Sequence, residues 1–409
     1  MEFGLFRYPN IRNLLGKETY RVKPDITFVL GIRPDAIRAS LILRQLADSS
    51  EVKMRFVWSG QHYSDNLKDV FFRELGIPTP DVELGALGEN DAEVSTSVIS
   101  SLYRELSENR PKAVMFLGDT NTVLGCLAAA QLNIPIIHIE GCMRSYDWRM
   151  PEEKCRTVID NLSDVIYTYF PEYKLQGVLE GLAPNRIVVI QNLIVDVLNE
   201  YYFKFRNDYD QIRIDLLKNM KVGNDYYLAT AHRRENVEDP VTLQKILDLF
   251  AVMNKEVIFP ASYRTQKNLI RFNLNVPTNV KMIDPIGYRD MLALMAGASA
   301  VITDSGTVVE ETAVLGVPSV QMRRATERPQ TYDCRSSVKF DPTADDTEVV
   351  ITKLRKIIGT SWVHNLGDGQ ASSRLVDDLI QRLKNDSFNT HKPEHYHLPI
   401  ERSYRGDGL

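Results

Sequence analysis

YYLATAHRREN, Tyr226 to Asn236, is the stretch on which the fold turns. Six largely apolar residues, Tyr226 to Ala231, lead directly into His232, Arg233, Arg234 and Glu235, the pattern of a buried strand that ends in a charged loop. Upstream, short β-rich runs have already alternated with helical patterns: 26–31, 53–58, 113–117, 134–139, 164–168 and 187–190. That rhythm breaks near 192–210 in a helical stretch rich in Tyr, Phe and charge, and YYLAT begins it again. Further runs follow at 256–260, 280–283, 300–303 and 318–322. Strands separated by amphipathic helices form βαβ units and parallel sheets. A second beginning at Tyr226 therefore predicts two doubly wound α/β halves, with the ligand cleft between them where strand C-terminal ends and helix N-termini converge. The loop after YYLAT could be a solvated charged turn, a metal or nucleic-acid contact, or one wall of that cleft.

Length and composition agree with two domains. The chain has 409 residues, 44% hydrophobic and 25% charged, with a formal net charge of −5. That length suits two cores of roughly 150 to 200 residues each. A mildly acidic chain has no general attraction for nucleic acid or anionic membrane, so a phosphate must be held by a local cluster. Cys126, Cys142, Cys155 and Cys334 are dispersed without a C-x-x-C pair, which argues against a zinc site and a disulfide framework. There is no apolar run of about 18 residues and no signal-peptide core, so the expected location is cytoplasmic, with no membrane partner. Residues 1–22 read as an N-terminal arm and 387–409 as a polar tail. His391, His395 and His397 lie in that tail, where nothing fixes them as metal ligands.

Five clusters sit just after strands. GIRPDAIR (31–38) places Arg33 and Arg38 at a helix start suited to an anion, with Pro34 and Asp35 in its first turn. LGDTNT (117–122) ends a strand in Asp119, and HIEGCMR (138–144) ends another in His138 and Glu140. PEEKCR (151–156) opens a helix with Glu152 in its first turn. One such carboxylate is ordinarily structural, but three at neighbouring strand ends raise one another's pKa and make acid/base groups. TDSGTVVEET (303–312) exposes the backbone N–H groups of Ser305, Gly306 and Thr307 at a helix N-terminus, a cradle for phosphate, with Glu310 and Glu311 one turn on. RRATERP (323–329) adds Arg328 for a phosphate. The GxxxxGK[ST] and GxGxxG loops are absent, which disfavours ATP- and NAD-dependent chemistry.

In this order the clusters resemble the non-hydrolysing UDP-N-acetylglucosamine 2-epimerase family, over about residues 25–385. The matching motifs are G-I-R-P-D, G-Q-H (60–62), G-D-T, H-I-E-G-C-M-R, P-E-E-K-C-R, A-H-R-R-E, T-D-S-G-T-V-V-E-E and T-E-R-P-Q. The stretch 145–164 is most similar to the subgroup acting on modified sugars, such as that forming UDP-N-acetyl-L-fucosamine. The resemblance implies a GT-B-like fold of two Rossmann-type domains. Residues 23–195 would form the sugar and acid/base side, 196–365 the UDP side, and 366–386 a helix crossing back to the first domain. The implied reaction is C2 epimerisation of a UDP-N-acetylamino sugar by anti elimination and re-addition of UDP, in surface polysaccharide synthesis. Asp119, Glu140 and Glu152 become the acid/base groups, with His232 at the leaving diphosphate. Arg33, Arg38, Arg144, Ser305, Gly306, Thr307, Glu311 and Arg328 would bind substrate, Glu311 at the ribose. Gln61 and His62 match a region that helps form a second, activating UDP-sugar site. The resemblance also implies a homodimer, and neither a metal nor another cofactor.

Departures cluster near the chemistry: Ile32 for Thr, Asp35 for Glu, Arg38 for Lys, Cys155 for Asn, Asn161 for His, Ser262 for His and Thr307 for Gly. The rival readings are a hydrolysing 2-epimerase, a GT-B glycosyltransferase and a UDP-sugar-binding homologue without turnover.

Overall fold

The computed structural model describes residues 23–60 and 72–388. Thirteen strands in this range form two all-parallel sheets. The first comprises β1 (Ile26–Leu30), β2 (Met54–Trp58), β3 (Val82–Glu83), β4 (Ala113–Leu117), β5 (Ile136–Ile139), β6 (Val165–Thr168) and β7 (Ile187–Val189), in the order β3-β2-β1-β4-β5-β6-β7. The second comprises β8 (Tyr226–Thr230), β9 (Glu256–Pro260), β10 (Val280–Ile283), β11 (Ala300–Thr303), β12 (Ser319–Met322) and β13 (Ser337–Phe340), in the order β10-β9-β8-β11-β12-β13. Every residue of β1, β4 and β11 is buried, as both-face-covered parallel strands require. These are the two doubly wound α/β halves that the restart at Tyr226 predicts, in the GT-B-like architecture that the resemblance implies.

Strand order reverses once in each sheet, between β1 and β4 and between β8 and β11. At such a switch point the two following loops diverge to opposite faces and leave a crevice. The loops that leave these four strands hold GIRPDAIR, LGDTNT, AHRREN and TDSGT, so topology alone puts three of the five clusters, and the AHRREN loop, at crevice mouths. The other two, HIEGCMR and RRATERP, follow β5 and β12, the neighbours of β4 and β11.

Two strands escape the sequence pattern. β3 is two residues long with Glu83 exposed, and β13 follows a polar run with Lys339 exposed in its middle, so neither carries a readable apolar alternation. The expected strand at 134–139 begins two residues later, at Ile136, because Pro135 has no N–H to give a ladder.

The join is a packed element. The helix Leu193–Tyr201 contacts the helix Gly306–Leu315 of the second half, and Leu292, Ala293 and Ala313 lie in the same apolar cluster as β1 and β2. The last described helix, Ala371–Asn385, buries Leu375, Val376 and Leu379 against the helix Arg33–Asp48 and against Leu193–Tyr201. Buried Asp196 fixes its start by accepting the N–H groups of Ala371 (3.2 Å) and Ser372 (2.7 Å). Among the described residues no helix is long and apolar enough to cross a membrane.

Candidate active site

The two switch points face each other across a cavity of about 600 Å³. The first half contributes Asp35, Arg38, Asp119, Glu152 and Cys155 to its wall, and the second His232, Ser305, Gly306, Thr307, Glu327 and Arg328. Local rules place these groups. Pro34 and Pro151 start their helices where a missing N–H costs nothing, and Ser305 caps the third by accepting the N–H of Val308. Ile32 offers no capping side chain and instead lines the cavity. An added Cβ at Gly306 would meet the Arg328 guanidinium at 2.4 Å, so glycine there lets that cation lie over the helix start.

Behind the wall runs a buried chain of ion pairs. Arg38 binds Asp35 at 2.6 Å and Glu140 at 2.5 Å, and Arg328 binds the other oxygen of Glu140 and, at 2.6 Å, Glu310. Glu140 has a φ of 74°, a left-handed backbone that a non-glycine residue adopts only when its surroundings dictate it. The two arginines, one from each half, supply that constraint. A second branch links Asp119 to Arg156 (2.7 Å), Arg156 to Glu153 (2.5 Å) and, at 3.7 Å, to Glu327, which also pairs with Arg323 at 2.8 Å. At the cavity mouth Arg234 makes a two-pronged bond to Asp91, at 2.6 and 2.9 Å.

These surroundings sort the carboxyls. Burial pushes Asp35 up to about 7 against the pull of Arg38, with Asp119 and Glu140 adding to the rise. Burial also raises Glu152, opposed by Arg233. Burial alone would raise Asp119 too, but Arg156 above all holds it below the usual range. An acid and a base therefore coexist on one wall, the arrangement proton transfer needs. Across the cavity, Asp304 accepts the backbone N–H groups of His232 and Arg233, both at 2.9 Å, and its other oxygen lies 3.0 Å from His232 Nδ1. Despite full burial these contacts, His232 first, hold Asp304 well below its ordinary value. Because the Nδ1–H faces a carboxylate, Nε2 is the nitrogen left for a ligand.

Asp119, Glu152, His232, Arg38, Ser305, Gly306, Thr307 and Arg328 thus meet at one cavity, whereas four expected site residues do not line it. Arg144 is turned into the protein: it binds Asp160 at 2.7 Å and Glu180 at 2.8 Å, and Asp160 in turn holds the ring of fully buried His138. It braces the β5–β6 side of the sheet. Arg33 lies beside the cavity, near Glu74 and Tyr263. Glu311 is buried in the helix that follows Ser305, where it accepts from the Tyr288 hydroxyl at 2.8 Å. Glu140 stands behind Arg38 and Arg328. Gln61 and His62 fall outside the described residues, as do the arm at 1–22 and the His of the tail. Asp304, Arg156 and Glu327 escaped the sequence reading as site residues, although all three lie inside its motifs: their partners are 72, 37 and 171 positions away in the chain, and only the fold brings them together. No group of three or more His, Cys, Asp or Glu side chains able to hold a metal occurs among the described residues.

Comparison with known proteins fits this geometry. Residues 44–380 match the family model described as UDP-N-acetylglucosamine 2-epimerase. The UDP-N-acetylglucosamine 2-epimerase of Methanocaldococcus jannaschii is 32% identical over 364 residues, 86% of this chain and 97% of the relative. The UDP-2,3-diacetamido-2,3-dideoxy-D-glucuronate 2-epimerase of Pseudomonas aeruginosa is 31% identical over 372 residues, 87% of this chain and 99% of the relative. The crystal structure of the M. jannaschii enzyme in complex with UDP-GlcNAc and UDP superposes with a TM-score of 0.81 at 31% identity, covering 87% of this chain and 99% of that one. A glycosyltransferase of kitacinnamycin, 13% identical at a TM-score of 0.52, shares the fold alone. On the strength of motifs, fold and facing switch points together, the chain belongs to the UDP-N-acetylglucosamine 2-epimerase family of isomerases.

Proposed function

We propose that this enzyme inverts C2 of a UDP-N-acetylamino sugar without net hydrolysis. The observation that carries the reading is the division of labour across the cavity: carboxyls of unlike acidity on one wall, and an anion cradle with His232 on the other. A base on the first wall takes the C2 proton. The C–H electron pair becomes the C1–C2 double bond, and the C1–O bond breaks to release UDP. Gly306 and Thr307 amides, Arg328 and His232 Nε2 stabilise the leaving diphosphate. UDP then adds back to the glycal while C2 gains a proton from the opposite face. Asp119 and Glu152 line the wall and are the acid/base pair in place. Glu140 joins them once the diphosphate draws Arg328 away from it. Glu311, beside the phosphate loop, would hold the ribose. A homodimer in the cytoplasm, a second UDP-sugar as activator and a role in surface polysaccharide precursor synthesis complete the proposal, supported by the family's motifs.

Incubation with UDP-N-acetylglucosamine in D₂O tests it, with the UDP-2,3-diacetamido-2,3-dideoxyglucuronate sugar run in parallel. Deuterium should appear at C2 of recovered UDP-sugar, together with the C2 epimer. Glu152→Gln should abolish exchange while UDP still binds. Stoichiometric free UDP would point to the hydrolysing reaction, and absence of exchange with either sugar to a binding protein.

A further inference from the structure

Asp35 is a buried carboxyl of the wall with an oxygen to spare. Its side chain is only 1% exposed, yet it lines the cavity, and Oδ1 is held by Arg38 while Oδ2 has no hydrogen-bond partner. A buried polar atom left so is ordinarily satisfied by a ligand or water. Three carboxyls face one another here: Asp35 and Glu140 share Arg38, and Asp119, on the loop after β4, is taken by Arg156. Glu140 has Arg328 as a second cation, whereas Asp35 has no cation of its own, and apolar Ile32 lies on the same wall. Of the three, Asp35 is the group whose charge is least compensated, and a carboxyl in that position keeps its proton and becomes a donor. We propose that Asp35 is a substrate-positioning residue: as an uncharged carboxyl, it donates a hydrogen bond from Oδ2 to an oxygen of the sugar. This rests on the epimerase reading and adds a sugar contact to it.

The test is the pH dependence of KM and kcat for C2 exchange in UDP-N-acetylglucosamine, with the wild type, Asp35→Asn and Asp35→Leu compared. Loss of one buried hydrogen bond predicts that Asp35→Leu raises KM about tenfold, with a smaller change in kcat. Affinity for UDP alone, measured by calorimetry, should stay within about twofold, since the proposed hydrogen bond is to the sugar. Asp35 should ionise near neutrality, so wild-type KM should rise between about pH 6 and pH 8.5, and this rise should vanish in Asp35→Asn, whose amide donates at every pH. An unchanged KM in Asp35→Leu, or the same pH dependence in Asp35→Asn, overturns the assignment. If Asp35→Leu does not fold, the Asp35→Asn comparison decides. If the wild type binds UDP-N-acetylglucosamine but does not exchange C2, the epimerase reading fails. The same variants are then judged by affinity for UDP-N-acetylglucosamine relative to UDP.

Discussion

His232 is half exposed and Asp304 is fully buried, and the pair works because of that contrast. The sequence displays His232 plainly in AHRREN, but it cannot show that Asp304, the second residue of TDSGT, holds both the ring and the loop's amides from across the switch point. Asp304→Asn would present an NH₂ to Nδ1 or surrender the amide bonds, and either way the tautomer is lost. We expect kcat to fall by about 10² to 10⁴, as when a histidine's orienting carboxylate is neutralised, with UDP affinity reduced far less; steady-state rates beside UDP calorimetry check this. Arg144 teaches the converse. A basic residue at the end of HIEGCMR reads as a substrate ligand, yet Asp160, in the last turn of a helix, claims it. An arginine's partner is a tertiary fact, and residue type with local position does not reveal it.

Among the elements, the long strands and the proline-initiated helices were legible because their signals are local: apolar runs, Pro in the first turn, Ser at the cap. β3 and β13 were not, being edge strands with an exposed residue and little apolar content. The cap of the last helix is a third kind of case. Gln370 at its N-cap makes no side-chain cap bond, and Asp196, 175 residues earlier, supplies the acceptor for two first-turn N–H groups. Asp196→Ala should therefore lower unfolding stability by about 1–3 kcal/mol, since it leaves buried donors unpaired. Protease sensitivity of the segment 359–370 should rise with it. An unchanged denaturation midpoint would mean that water takes the place of the carboxylate.

For the whole molecule, buried carboxyls set the response to pH. Burial raises both Asp35 and Glu311 to about 7. Unfolded, they would titrate near their ordinary values, so between about pH 4 and pH 7 these two groups bind more protons in the folded state, and their contribution to stability falls as pH rises through that window. Glu311→Gln keeps an acceptor for the Tyr288 hydroxyl and removes the charge. It should stabilise the protein at pH 8 by on the order of 2 kcal/mol and leave pH 5 nearly unchanged; urea midpoints at the two pH values check it. The ion chain Asp35–Arg38–Glu140–Arg328–Glu310 has a different consequence. Its middle pair joins the two halves, so Glu140 serves as a placeholder anion, occupying a guanidinium that an incoming diphosphate would claim. In the proposed reaction, substrate entry would be an exchange of counter-ions, one phosphate taking the place of one carboxylate at Arg328. Under the proposed reaction, binding UDP would leave Glu140 with Arg38 alone, whereas in the empty cleft two guanidinium groups neutralise it.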